Sequence, residues 1–212
     1  MENLRYERKW VYKTDPISLI LGCNKSNFSF FEEFKKRKIN SIYFDDHLKS
    51  SIISNLAGIK DRKKIRFRWY GSQDFVGNIF LEQKIKKNLM GKKIIKKINI
   101  NLKIQDKLFL KKLIKISNNF FLSNLIPTAF ITYDRNYLRS KINPEIRCTV
   151  DSNIRYFKIL NSQYVQTNKL YKNECILEIK YPIHSDNDVK KLINAPSYRL
   201  QKNSKYLRCF FN

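Results

Sequence analysis

Basic and apolar residues alternate strictly across residues 64–70, which read KIRFRWY. Because successive side chains of a β-strand point to opposite faces, Lys64, Arg66 and Arg68 fall on one face. The apolar residues between them fall on the other face. The pattern therefore predicts a strand that has one charged face and one apolar face.

A second strand is predicted directly after the first. Residues 71–74 read GSQD, a composition typical of turns, and residues 80–84 then read FLEQK. The same alternation places Glu82 and Lys84 on one face, so two neighbouring strands present Lys, Arg and Glu side chains together. For this pair alone, the solvated face of an antiparallel sheet is a sufficient explanation.

Four other segments repeat the pattern, and the repetition changes this interpretation. They are Arg5-x-Glu7-x-Lys9, Tyr133-x-Arg135, Arg147-x-Thr149-x-Asp151 and Glu178-x-Lys180. A barrel whose interior is lined by charge explains the recurrence better than a set of unrelated surface strands. Charge in an interior is costly unless it binds a highly charged ligand, so a basic interior indicates a polyanion.

Helices are predicted around these strands. Asp15 and Pro16 form a helix start, with Asp15 as the N-cap and Pro16 at the first helical position. Ser29 and Glu32 have capping-box spacing, which predicts a helix over Phe30–Arg37. Further predictions include a short strand at Ser41–Phe44 and helices at His47–Leu56 and Lys103–Asn124.

The net charge narrows the classes of partner. The 212 residues carry 43 Lys+Arg against 18 Asp+Glu, a net charge of +25. Part of this excess reflects a composition rich in Lys, Ile and Asn, but the field attracts phosphate polymers, nucleic acids or anionic membranes whatever its origin. The length suits one domain, and we expect residues 1–212 to form a single domain.

Specific nucleic-acid recognition is not expected from the sequence. The basic residues alternate within strands and form no groove-reading helix, RNA-binding aromatic pair or zinc module. Trp69 and Tyr70 are expected in the core and at its rim, rather than as platforms on which bases stack.

The cysteines indicate neither a zinc site nor a disulfide framework, because no pair has CxxC spacing and neither histidine lies near one in the sequence. A reducing, cytoplasmic compartment is therefore expected. The charged N-terminus shows no secretory signal, and no apolar run of about 18 residues predicts a membrane span.

Asp45 and Asp46 could bind a metal, but neighbours on a strand point opposite ways, so a turn and helix N-cap is the favoured interpretation.

Seven motifs, in order, carry a specific resemblance to a known family. They are ERKW, KIRFRWYG, FLEQK, TYDR, RCTVD, LEIKY and NSKY. From Glu7 to Tyr206 the chain resembles the polyphosphate polymerase (VTC) domain, one of the triphosphate tunnel metalloenzymes, which are related to the CYTH proteins. The resemblance implies an α+β fold, in which an antiparallel β-barrel of about eight strands forms a charged tunnel braced by peripheral helices.

The resemblance also implies roles for individual residues. The implied catalytic residues, which line the tunnel, are Arg66, Arg68, Lys84, Arg135, Arg147 and Lys205. The implied substrate-binding residues are Lys9, Lys64, Lys93, Lys96, Tyr133, Lys180 and Ser204, although the spacing at Lys96 differs from the family's by one residue. Glu178 is implied as the metal ligand, with Glu82 and Glu7 at acidic positions near the metal, which would be Mn²⁺ or Mg²⁺. The C-terminal tail, which contains Ser204, is then expected to pack into the tunnel rather than fray.

The implied reaction transfers the γ-phosphoryl group of ATP to a growing inorganic polyphosphate chain. ATP and inorganic polyphosphate or pyrophosphate are the implied partners, and no residue of the chain indicates a membrane partner. Two alternatives stay open: a tunnel triphosphatase that hydrolyses inorganic or nucleoside triphosphate, and a non-catalytic module that binds polyphosphate or another polyanion. One departure bears on the first alternative. Hydrolytic relatives usually open with Glu-x-Glu-x-Lys, whereas Arg5 stands here at the first glutamate position, which weakens capture of a second metal.

Overall fold

The computed structural model describes residues 5–72, 75–87, 90–105, 107–167, 174–193 and 203–211. Its strands are β1 (Arg5–Lys13), β2 (Phe30–Asp45), β3 (Arg62–Tyr70), β4 (Phe75–Lys87), β5 (Met90–Lys103), β6 (Ile126–Ser140), β7 (Arg147–Leu160), β8 (Gln163–Gln166) and β9 (Glu174–Pro182). Its helices are α1 (Pro16–Lys25), α2 (Ser50–Leu56), α3 (Lys107–Phe121), α4 (Asp186–Ile193) and α5 (Lys205–Phe211), with a 3-10 turn at Ile183–Ser185. Residues 73–74 of the predicted turn after β3 lie outside the described residues.

The chain divides into two compact units. The first unit comprises Met1–Arg37, Tyr133–Ile154 and Leu170–Asn203, and the second comprises Lys38–Thr132, Arg155–Lys169 and Ser204–Asn212. Strands β2, β6 and β7 each contribute residues to both units. The expectation of a single domain over residues 1–212 stays a prediction.

The strands are hydrogen-bonded in the order β1-β9-β7-β6-β2-β3-β4-β5, and β8 pairs with β7. The neighbouring pairs β1/β9, β7/β9, β2/β3, β3/β4 and β4/β5 are antiparallel, which confirms the predicted α+β class with an antiparallel sheet. In the described part of the chain this order has two ends, whereas the sequence predicted a closed barrel. The end strand β5 carries five exposed lysines, and charge of this kind disfavours further pairing at an edge.

The core of the first unit lies between its strands and α1. Trp10 of β1, Val150 of β7 and Leu177 of β9 are buried in one cluster with Cys23 of α1. Asp15 caps α1 as predicted, because its carboxylate accepts a hydrogen bond from the Ser18 backbone N–H at 2.9 Å. Because Cys23 belongs to the buried cluster, the side of this helix that carries it covers the sheet.

The core of the second unit is built around Trp69. Its ring stacks on Phe130 at a centroid distance of 5.8 Å and meets Phe109 of α3 edge to face at 5.9 Å. Leu113 of α3 is also fully buried here. The prediction that Trp69 belongs to the core is confirmed. Helix α3 begins at Lys107 rather than at Lys103, because β5 extends to Lys103.

The segment Phe30–Arg37 corrects a prediction, since it is the first half of β2 and not a helix. Lys36 forms an ion pair with Asp134 of β6 at 3.4 Å, a contact between neighbouring strands. Ser29, predicted to cap the helix, adopts a left-handed conformation with φ of 45° instead. Pairing with β6 therefore outweighs the local capping signal, as tertiary context often does.

Helix α5 fixes the C-terminal tail in the second unit. Tyr206 is only 1% exposed, and its ring stacks on Tyr43 at 4.8 Å. Its hydroxyl donates to Asp45 at 3.0 Å and shares a hydrogen bond with Thr128 at 2.8 Å. Burial and the Asp45 carboxylate both raise the pKa of Tyr206, so this side chain stays a neutral donor.

Asp45 and Asp46 supply side-chain acceptors to the first N–H groups of α2, as the favoured interpretation requires, although the N-cap residue itself is Lys49. Asp45 accepts hydrogen bonds from the backbone N–H groups of Ser51 and Ile52, and Asp46 accepts one from Ser50.

All four cysteines are free and buried. Among the described residues, no helix combines the length and apolar content that crossing a membrane requires.

Replacing Tyr206 by Ala is expected to destabilise the second unit by about 3–5 kcal/mol, the usual cost of removing a buried aromatic ring. Phe211 of the same helix is 59% exposed, so Phe211→Ala should cost less than about 0.5 kcal/mol. Urea unfolding of both variants measures the difference. Equal losses in the two variants would contradict this account of how α5 is held.

Candidate phosphate-binding site

Three strands of the second unit bring charged residues onto one face. Arg66 of β3 lies opposite Glu82 of β4, Lys64 lies opposite Lys84, and Lys84 lies opposite Lys93 of β5. Residues directly opposite each other in antiparallel strands share a face. The register therefore confirms the shared face that the alternation predicts. We call this set the arginine cluster, which comprises Lys64, Arg66, Arg68, Glu82, Lys84 and Lys93.

Glu82 is the buried centre of the arginine cluster, with 4% of its surface exposed. Its Oε2 accepts a hydrogen bond from Arg66 Nε at 2.6 Å, and its Oε1 accepts one from Lys93 Nζ at 2.7 Å. Arg68 Nη1 lies 3.9 Å from Oε2. Burial raises the pKa of Glu82, but the three cations outweigh burial and lower the pKa to about 2. The carboxylate is therefore ionised at neutral pH and orders the cations around it.

Positive charge is in excess in this cluster. Burial lowers the pKa of Lys93, and the repulsion of Arg66 and Arg68 lowers it further. The attraction of Glu82 raises this pKa, but not by enough to offset the other two effects, so the net shift is downward. The cluster comprises five basic side chains and one carboxylate, a net charge of four positive units when all are ionised. An anionic ligand would neutralise this excess.

Strand β2, which pairs with the edge of β3 away from β4, also holds both arginines. Tyr43 lies opposite Arg66, and Ser41 lies opposite Arg68. Arg66 Nη1 donates to the Tyr43 hydroxyl at 3.0 Å, and Arg68 Nε donates to Ser41 Oγ at 3.4 Å. Sequence analysis did not identify Tyr43 or Ser41 as site residues. The sequence shows that these two residues alternate on a predicted strand, but it does not show that this strand pairs with β3.

The C-terminal tail meets the arginine cluster at Lys64. Lys64 Nζ donates to Ser204 Oγ at 3.0 Å, and Asn55 of α2 donates to the same oxygen at 3.2 Å. Lys205 is the first residue of α5 and is half-buried. The structure therefore brings the tail beside Lys64, and its packing into a tunnel stays a prediction.

Lys96 does not lie with the arginine cluster. It pairs opposite Leu81, a core residue, and its Nζ lies 5.0 Å from the centroid of Phe120 in α3. Lys97, which pairs opposite Phe80, occupies the charged face instead. A shift of one residue moves a side chain to the other face of a strand, so the uncertain spacing led to the wrong lysine.

A second charged group lies in the first unit, on β1 and β9. Lys9 Nζ lies 2.6 Å from Glu7 Oε1 and 3.2 Å from Glu178 Oε2, and Lys180 Nζ lies 2.6 Å from Glu178 Oε1. Burial lowers the pKa of Lys9, but Glu178 and Glu7 outweigh burial and raise it. We call these four residues the Glu178 cluster. Its two ammonium groups and two carboxylates leave it neutral.

Arg147 lies on the same face as the Glu178 cluster. It pairs opposite Lys180 in the register of β7 and β9, while Thr149 pairs opposite Glu178. Arg147 is exposed, in contrast to the buried Glu178. It therefore adds one positive charge at the solvent side of this face.

Arg135 is held by a carboxylate that sequence analysis assigned no role. Its Nε lies 2.5 Å from Asp151 Oδ1, and its Nη2 lies 2.7 Å from Oδ2, a bidentate contact. Its guanidinium carbon also lies 5.3 Å from the ring centroid of Tyr133. Burial lowers the pKa of Arg135, but Asp151 outweighs burial and raises it well above the usual value. A phosphate at Arg135 would therefore have to compete with Asp151.

The predicted metal ligands differ in how well they fit a divalent cation. Among the described residues, no three His, Cys, Asp or Glu side chains lie close enough to hold a metal alone. Glu7 and Glu178 share Lys9 and supply two hard carboxylates, which suits Mg²⁺ when phosphates complete its ligands. Glu82 does not fit, because both of its oxygens are engaged by cations within a positively charged cluster.

Solved structures of low sequence identity share this fold. A candidate adenylate cyclase from Vibrio parahaemolyticus matches with a TM-score of 0.53 and 10% identity, over 97% of each chain. A protein from Pyrococcus horikoshii matches with a TM-score of 0.51 and 12% identity, over 96% of this chain and 94% of its own. A candidate adenylyl cyclase from Hippeastrum, which has a dominant triphosphatase activity, matches with a TM-score of 0.51 and 11% identity, over 96% of this chain and 93% of its own. These likenesses show that the chain shares the fold of the three proteins.

The sequence profile of the VTC domain matches residues 5–210, and the chain belongs to this family. The resemblance inferred from the seven motifs is thereby confirmed. A comparison with curated proteins finds no match. The family model establishes the family, and the solved structures establish the fold.

The depressed pKa of Glu82 predicts a specific dependence of stability on pH. A carboxyl with a lowered folded-state pKa stabilises the protein above its ordinary value, near 4.5, and loses this effect as pH falls towards 2. Glu82→Gln should therefore be less stable than the wild type by about 3 kcal/mol at neutral pH. The two should converge as pH falls from about 5 to about 2. Chemical unfolding at a series of pH values measures this, and parallel curves would contradict the assignment.

Proposed function

We propose that this VTC domain is a polyphosphate polymerase that transfers the γ-phosphoryl group of ATP to a growing inorganic polyphosphate chain. The observation that carries the proposal is the arginine cluster, in which an excess of fixed positive charge lies on one face. Phosphoryl transfer depends on positioning and charge neutralisation more than on covalent chemistry. A cluster of ordered cations is suited to both tasks.

The contacts of Arg66 and Arg68 favour this role, because both side chains are already ordered. Glu82 and Tyr43 fix the guanidinium of Arg66, and Ser41 fixes that of Arg68. Little side-chain entropy is then lost when a phosphate binds, which favours tight positioning. Lys64 and Lys84 add point charges on the same face.

The proposed step needs no general base. A terminal phosphate oxygen of the acceptor chain attacks the γ-phosphorus, the bond from that phosphorus to the β,γ-bridging oxygen breaks, and ADP leaves with the electron pair. The attacking oxygen is already deprotonated at neutral pH, so no proton has to be removed. The cations of the arginine cluster stabilise the negative charge that is spread over the transferring group.

Glu178 and Glu7 are the residues that would hold the divalent cation. When bound, Mg²⁺ or Mn²⁺ would neutralise charge on phosphate oxygens. Because the Glu178 cluster is neutral, a divalent cation gains little there unless a phosphate brings negative charge with it. We therefore propose that metal and phosphate bind together on the first unit.

A triphosphatase is the second candidate. The Hippeastrum protein, which shares this fold, has a dominant triphosphatase activity. In such an enzyme, water replaces the phosphate chain as acceptor and the product is free phosphate. The net positive arginine cluster serves either acceptor, so the products of the reaction separate the two candidates.

Incubation with ATP and Mg²⁺ or Mn²⁺ tests the proposal, with polyphosphate resolved on gels and free phosphate measured in parallel. A ladder of polyphosphate is expected, and Arg66→Ala should lower its rate by about 100-fold or more, because a fixed donor to the transferring group is lost. Lys63→Ala is the matched control, since Lys63 is exposed and pairs opposite Ile85, off the charged face. Free phosphate without polymer would establish the triphosphatase. Binding of polyphosphate without either product would leave a non-catalytic module.

Coupled binding of metal and phosphate can be measured without turnover. Calorimetric titration with Mg²⁺ should give weak binding alone and clear binding once tripolyphosphate is present. Glu178→Gln should remove the gain, because one of the two carboxylates loses its charge. Tight Mg²⁺ binding in the absence of phosphate would contradict the neutral balance of the Glu178 cluster.

A further inference from the structure

An aromatic pair, of an exposed tyrosine and a half-buried phenylalanine, lies at one end of the charged face of β3. Tyr70 is two residues beyond Arg68, so their side chains point to the same side of the strand. Phe80 of β4 lies directly opposite Arg68 in the register. The rings of Tyr70 and Phe80 meet edge to face, with centroids 5.9 Å apart. Tyr70 is 44% exposed, which leaves part of its ring open to a ligand.

The backbone that carries Tyr70 is held firmly. Gly71 N–H donates to the Lys38 carbonyl at 3.0 Å, and Asn40 Nδ2 donates to the Gly71 carbonyl at 3.1 Å. Trp69 donates from its indole to the Ser72 carbonyl at 3.1 Å. The backbone beside the phenol is thus held by hydrogen bonds on both sides of Gly71, which limits the entropy lost when a ligand stacks on the ring.

The order of side chains along β3 matches the order of groups in a nucleotide. Lys64, Arg66, Arg68 and Tyr70 follow one another on one face at a spacing of about 6.6 Å, twice the rise of a strand residue. Three cations are followed by an aromatic ring. A nucleoside triphosphate likewise presents its phosphates first, then the ribose, and the aromatic base last.

We propose that Tyr70, backed by Phe80, stacks the base of a nucleoside triphosphate whose phosphates contact Arg68 and Arg66. This inference rests on the proposed function, in that it takes the arginine cluster as the triphosphate site. Stacking on one aromatic side chain is tolerant of base identity, because every base has a π face. The subsite therefore selects nucleoside triphosphates over inorganic triphosphate rather than one base over another.

Two expectations for Tyr70 have different outcomes here: its place at the rim is kept, whereas the expectation that it is not a platform for base stacking is reversed by this proposal. The rim position is confirmed by its exposure, whereas Trp69 is buried in the core. Because Arg68 is proposed to contact the phosphates of a nucleotide, the base of that nucleotide can stack on the exposed ring. The sequence could not indicate this, because the partner ring of Phe80 comes from the next strand.

Calorimetric titrations of ATP and of tripolyphosphate test the subsite, at fixed ionic strength and with EDTA to prevent turnover. Tyr70→Ala should weaken ATP binding by about tenfold, since stacking of one base is lost. Tripolyphosphate has no base, so its affinity should change less than about twofold by the same reasoning. Tyr70→Trp should restore ATP binding, and Phe211→Ala, which removes an exposed ring of α5, should change neither ligand.

The outcomes separate this inference from the proposed function. If the wild-type protein binds neither triphosphate, the proposed function and the subsite fail together. If it binds both, and Tyr70→Ala leaves ATP unchanged or weakens both ligands equally, the subsite alone is wrong. Tyr70→Leu keeps apolar bulk at the position and answers the same question should Tyr70→Ala fail to fold.

Discussion

The buried carboxylate of Glu82 is the interaction on which the charged face of the second unit depends. It accepts hydrogen bonds from Arg66 and Lys93 and lies within reach of Arg68, so one anion orders three cations. A lone buried carboxylate would be costly, and so would unpaired buried guanidinium groups. Their pairing makes both tolerable, and the cluster as a whole keeps a net positive charge. Tyr43 and Ser204 then extend the order to the C-terminal tail.

The arginine cluster and the Glu178 cluster differ in net charge, and this difference suits them to bind different ligands. The arginine cluster is strongly positive, so it favours an anion and disfavours a metal ion. The Glu178 cluster is neutral, and its two carboxylates meet at Lys9. A metal ion there needs phosphate to complete its ligands, which agrees with the behaviour of hard cations that keep few protein ligands. The anion that the arginine cluster favours and the further ligand that a metal needs at the Glu178 cluster share one chemistry, that of phosphate.

Local patterns predicted the charged faces because strand alternation is a local property. The face shared by Arg66 and Glu82 follows from counting residues by twos. Partners set by strand pairing could not be read in this way, which is why Tyr43 and the role of Asp151 were missed. The same limit explains two errors. The capping signal at Ser29 was outweighed by pairing of β2 with β6, and an uncertain register exchanged Lys96 for its neighbour.

Localisation of bound phosphate tests the central claim most directly. Crystals of the protein grown with tripolyphosphate would show where the anion lies. The account predicts phosphate oxygens within hydrogen-bond distance of Arg66 and Arg68, on the face that carries Glu82. Phosphate found only at the exposed lysines on the opposite face of β5, with the arginine cluster unchanged, would contradict it.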